Sequence, residues 1–138
     1  MIRIALNDAH WEIVHALDSL SGNREHFDRV VEIVKDAKAQ GMGDHYAVRD
    51  NKMIRPRDSD EFIQLSKQDE QSLNIVLEQM DYCIFIHVYE NSVEFYRDTV
   101  ACSIVYVEDD VRPKRLKGQY PAETKKIDTN WYNAMRKR

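Results

Sequence analysis

Cysteine is nearly absent: Cys83 and Cys102 are the only two in 138 residues. That excludes a small scaffold stapled by several disulfides. Both thiols fall in runs that read as strands, so two buried free thiols in a reducing compartment are expected, with a bridge between neighbouring strands as the alternative. Four glycines and three prolines leave no material for long flexible linkers. No apolar run approaches the ~20 residues that a bilayer requires. The opening Met1-Ile2-Arg3-Ile4 lacks the form of a secretory signal, because an acidic helix is expected directly after it. A cytoplasmic protein without membrane contact is therefore expected.

The motifs of common chemistries are missing as well. There is no His-Glu-x-x-His, no Cys-x-x-Cys, no calcium loop and no Gly-x-Ser-x-Gly. Gly41-Met42-Gly43 lacks the third glycine of a dinucleotide fingerprint and reads as a helix stop. Cys83 and His87 stand four apart on one expected strand, about 13 Å at strand rise, so they cannot form a dyad. No cofactor and no metal are expected, and the chain reads as a non-enzyme.

Charge is plentiful and unevenly placed. The net charge is −4, yet residues 111–138 carry nine Lys and Arg against Glu123 and Asp128, whereas residues 1–110 carry a net −11. An acidic body with a basic carboxyl end suggests internal pairing, self-docking or two kinds of partner.

Length and composition fit a single domain over 1–138. Its centre is the stretch Tyr82–Val107. Tyr82–Tyr89, Val93–Tyr96 and Ala101–Tyr106 are β-branched and aromatic runs separated by polar breaks, the pattern of antiparallel hairpins. Ile84, Ile86, Val88, Phe95 and Ile104 are expected to face the core. Phe85, His87, Tyr89, Tyr96 and Val105 form a second, amphipathic face that something must cover. Thr124–Ile127 and Trp131-Tyr132 are expected to add to the sheet, and His45–Arg49 reads as a short strand. Helical periodicity places one helix from about Asp8 to Leu20 and a second over Arg24–Gln40, capped by Asn23 and ended by Gly41. A third covers Gln68–Met80, behind a capping box at Ser66 and Asp69. One or two helical turns are expected over Asp60–Leu65. The fold class is α+β: N-terminal helices on one face of a C-terminal antiparallel meander of about four strands.

The leading functional expectation is a protein-binding module, a small acidic inhibitor or immunity-type protein that docks on a basic partner. Trp11 lies off the apolar stripe of the first helix among Asp8, Glu12, His15 and Asp18, an aromatic anchor in an acidic setting. Glu25, Asp28 and Glu32 would extend that patch. The alternative is nucleic-acid binding through Arg112, Lys114, Arg115, Lys117, Lys125 and Lys126. A third option places His87 with Tyr96, Glu94 or Asp98 on the second sheet face as a small hydrolytic site.

Overall fold

The computed structural model describes residues 20–48, 54–56, 62–80, 84–96, 102–111, 115–116 and 120–136. The first expected helix, the expected edge strand at 1–6 and Cys83 lie outside the described residues.

Helix α1 spans Arg24–Ala39. Its stripe of Phe27, Val30, Val31, Val34 and Ala37 is buried as the 3.6-residue period requires, and Ile33 joins it. Asn23 takes the N-cap position without a side-chain capping bond. The C-terminus closes in a Schellman motif. Met42 N–H donates to the Ala37 carbonyl at 3.0 Å and Gly41 N–H to the Lys38 carbonyl at 3.0 Å. Gly41 supplies the positive φ of 86° that this turn demands.

Helix α2 spans Lys67–Gln79 and buries Leu73, Val76 and Leu77, with Met80 just beyond its end. Ser66 Oγ accepts from Asp69 N–H at 3.1 Å, as the capping box predicts. The residues before it, Phe62 to Leu65, are not helical, contrary to expectation.

The strands are β1 (His45–Val48), β2 (Ile54–Pro56), β3 (Ile84–Val88), β4 (Ser92–Tyr96), β5 (Cys102–Val107), β6 (Arg115–Leu116), β7 (Tyr120–Asp128) and β8 (Trp131–Arg136). They form one sheet in the order β2-β1-β3-β4-β5-β8-β7-β6, with every neighbour pair antiparallel. Six strands make its body, and β2 and β6 are short additions at the two edges. The expected four-strand meander is thus only the middle of it. β3, β4 and β5 follow one another, but the chain then passes outward and returns, so that β8 rather than β6 lies beside β5. The short β2 and β6 offered too few residues for any period to show.

Both helices cover one face of this sheet. Tyr46, Val48, Ile84, Ile86, Val88, Val93, Phe95, Ile104 and Trp131 join the helical stripes in one apolar cluster. Trp131 is fully buried, with ring centroids 5.8 Å from those of Phe27 and Phe95 and 5.3 Å from that of Tyr106. Its indole N–H donates to Asp28 Oδ1 at 3.0 Å, which ties the late strand β8 to α1.

Candidate functional site

Much of the opposite sheet face is buried as well. Ala47, Glu94, Tyr96, Ser103, Val105, Tyr132 and Ala134 are buried there, Glu94 and Tyr96 completely. On the same face His45, Phe85, His87 and Tyr89 are half-buried. Cross-strand register lines up His45, His87, Glu94, Val105 and Tyr132 in one row. The rings of His45 and His87 stack at 4.8 Å, and those of His87 and Tyr89 at 4.2 Å. The His45 imidazole Nε2 hydrogen-bonds the Tyr96 hydroxyl, and Tyr89 O–H donates to Glu94 Oε1 at 3.1 Å. The structure therefore brings together His87, Glu94 and Tyr96 as a neighbourhood, and adds His45 and Tyr89. Asp98 lies outside the described residues. Val105, not Cys102, occupies the row of His87, so register places no thiol opposite that histidine. The Glu94 carboxylate is thus fully buried and has the Tyr89 hydroxyl as a hydrogen-bond donor, as a buried polar group requires.

The basic carboxyl end is partly engaged with the body. Lys126 Nζ donates to Asp110 Oδ2 at 2.6 Å, and the same carboxylate accepts from Asn130 N–H at 3.0 Å and from Tyr132 O–H at 3.2 Å. The Lys126 hydrogen bond leads in holding the Asp110 carboxyl below its ordinary range. In return, Asp128 pairs with Arg24 at 3.2 Å, and Glu108 with Lys35. The acidic turn Glu108-Asp109-Asp110 thus serves internal pairing. Lys125 is exposed, while Arg112, Lys114, Lys117 and the Arg115 side chain lie outside the described residues. So do Asp8, Trp11, Glu12, His15 and Asp18. Among the described residues no helix is long and apolar enough to cross a membrane, and no group of three acidic, histidine or cysteine side chains is gathered as for a metal ion.

What the described surface does offer is the seam between α1 and α2. Arg29 spans it as a fork: Nε donates to Asp69 Oδ1 at 2.6 Å, Nη2 to Asp69 Oδ2 at 3.2 Å and Nη1 to Glu32 Oε2 at 3.0 Å. The Arg29 hydrogen bonds hold the Asp69 carboxyl below its usual value, against the opposing effect of desolvation. A hollow opens on each side of this fork. One, of about 380 Å³, has Ile33, Ala37, Met42, Ile63 and Leu65 in its wall and Asp36 at its margin. The other, of about 580 Å³, is polar and lined by Glu25, His26, Gln68, Gln71 and Ser72. Arg29 lines both.

Local chain chemistry builds the apolar hollow. The Schellman turn brings Met42 back over Ala37, and the cap at Ser66 turns the chain so that Ile63 and Leu65 lean on the core while Asp69 meets Arg29.

The polar hollow contains Ser72 Oγ 3.0 Å from His26 Nδ1, and His26 Nε2 3.6 Å from Glu25 Oε1. The residue types are those of a hydrolytic triad, but the geometry is not. The Glu25 side chain is 82% exposed and too far to orient the imidazole, and Ser72 is buried within α2. The His26–Ser72 contact acts as a polar clip between the helices. Periodicity alone placed Glu25, Glu32 and Asp36 off the buried stripe; it gave no sign that Arg29 and Asp69, forty residues apart, would meet.

No family model matches the chain, and no curated protein or solved structure matches it either.

Proposed function

We propose that the protein is a non-enzymatic, cytoplasmic binding module that docks on a basic protein partner, in the manner of a small inhibitor or immunity protein. The observation that carries this reading is the open, two-chambered seam on the helical side. Its three lining carboxylates, Glu25, Asp36 and Asp69, stand against one guanidinium that is already shared between Asp69 and Glu32. Surplus negative charge beside an apolar hollow is what steers and then seats a cationic partner. Asp28 contributes less than expected, because it already accepts from Trp131 and pairs with Arg24 at 3.4 Å. Asp8, Trp11, Glu12, His15 and Asp18, the contact patch expected from the sequence, lie outside the described residues.

The test is an affinity capture from nuclease-treated extract at low salt, followed by a step to moderate salt and mass spectrometry. The expected result is a basic protein retained at low salt and released by the step. In a parallel capture without nuclease, recovery of nucleic acid with no protein retained after nuclease treatment would contradict the proposal and favour the basic carboxyl end as the binding element.

A further inference from the structure

The two hollows also specify the shape of what they take. Glu25 lines one and Asp36 the other, with Arg29 between them. Glu25 and Asp36 are eleven residues apart on α1. At 100° per residue that separation returns them to the same side of the helix within about 20°, and at helical rise it sets them roughly 16 Å apart along the axis. Both are exposed. The Glu25 carboxylate lies 3.6 Å from His26 Nε2 and makes no Lys or Arg ion pair among the described residues. Asp36 makes no ion pair with its side chain among the described residues, and its carbonyl serves the helix end by accepting from Gln40 N–H at 3.0 Å. The apolar wall of Ile33, Ala37, Met42 and Leu65 lies toward the Asp36 end.

We propose that the α1–α2 seam binds an extended segment of a partner protein that carries two cationic side chains about 16 Å apart with an apolar side chain between them. Side chains alternate along an extended chain, so two cations that share a face stand an even number of residues apart; four residues span about 13 Å, and the length of two arginine side chains covers the rest. The favoured pattern is therefore Arg or Lys at positions 1 and 5, with Leu, Met or Phe at position 3 on the same face. One cation faces Glu25 across the polar hollow, the other faces Asp36, and the apolar group enters the hollow above Ala37. Arginine suits both ends, because its planar fork reaches a carboxylate in two-point contact. This inference rests on the binding reading above, and it adds the site, the spacing and the conformation of the ligand.

The experiment uses the full chain, ¹⁵N-labelled, titrated with two synthetic ten-residue peptides of identical composition. One carries two arginines four positions apart with a leucine midway between them; in the other the arginines are adjacent. The expected result is saturable shifts in the amides of Glu25, Arg29, Asp36, Ala37, Met42 and Leu65 with the spaced peptide. Affinity for the adjacent-arginine peptide should be at least tenfold weaker. Glu25→Gln and Asp36→Asn, both at exposed positions, should each weaken the spaced peptide severalfold while leaving the remaining spectrum in place. Equal affinity for both peptides would overturn the spacing. Shifts confined to another surface, or no shifts at all, would overturn the site. A basic protein captured with equal yield by wild type and by the Glu25→Gln/Asp36→Asn double variant would sink the seam while the binding reading itself survives.

Discussion

Trp131 shows how a single side chain can bind distant parts of a chain together. It lies 103 residues from Asp28, yet its indole both fills the space among Phe27, Phe95 and Tyr106 and donates to that carboxylate. Trp131→Ala should cost about 3–5 kcal/mol in urea unfolding, because the cavity cannot close against a rigid helix and sheet. Trp131→Phe should cost distinctly less, since the ring contacts largely remain and half-exposed Asp28 can turn to water. The charged residues give a second test at this scale. Asp69, Asp110 and Asp128 all have carboxyl groups held below their ordinary values, by Arg29, by Lys126 and by the Thr129 N–H respectively as the leading causes. A carboxylate whose folded pKa is depressed stabilises the fold fully above its unfolded pKa, near 3.9. That stabilisation is lost as pH falls through the lower folded value. Urea midpoints should therefore be level from about pH 5 to 7 and fall steeply below about pH 4. Asp69→Asn should flatten part of that fall.

The helices were the most legible elements, because their ends carry local chemistry. Asn23, Gly41, Ser66 and Asp69 fixed both helices to within a residue or two, and apolar spacing fixed the buried side. Ser66→Ala should lower stability by about 1 kcal/mol, since its Oγ satisfies an amide of the first turn; chemical denaturation would measure it. Strands β3 to β5 were legible through the alternation of Ile84, Ile86 and Val88 with Phe85 and His87, and their two faces emerged as expected. What was not legible is the order beyond β5. Trp131 to Asn133 showed aromatic weight but no turn code naming a neighbour, and which strand pairs with which is a long-range matter. The candidate seam was half legible for the same reason. Its carboxylates stood out from α1, while its floor depends on residues 62 to 65 approaching a helix that ends more than twenty residues earlier.

The described residues form a sheet largely buried on both faces, with Tyr46, Tyr96 and Tyr132 packed inside and an acidic seam outside. Amide exchange should follow that plan. β4 and β5, central in the sheet and buried on both sides, should open only on global unfolding. β2 and β6 should exchange orders of magnitude faster. Uniformly fast exchange in β4 would mean that the second face is not closed. The charge distribution makes a second demand at this scale. Internal pairing accounts for Lys126, Arg24, Lys35 and Arg29, each beside a carboxylate, while Glu25 and Asp36 make no Lys or Arg pair among the described residues. The most direct test reverses those two. Wild type and Glu25→Lys/Asp36→Lys would be compared by quantitative mass spectrometry of proteins captured at low salt. The salt-sensitive basic proteins held by the wild type should drop at least tenfold on the variant, while its unfolding free energy stays within about 1 kcal/mol of the wild-type value. Capture of the same proteins at the same yield by a stably folded variant would contradict it.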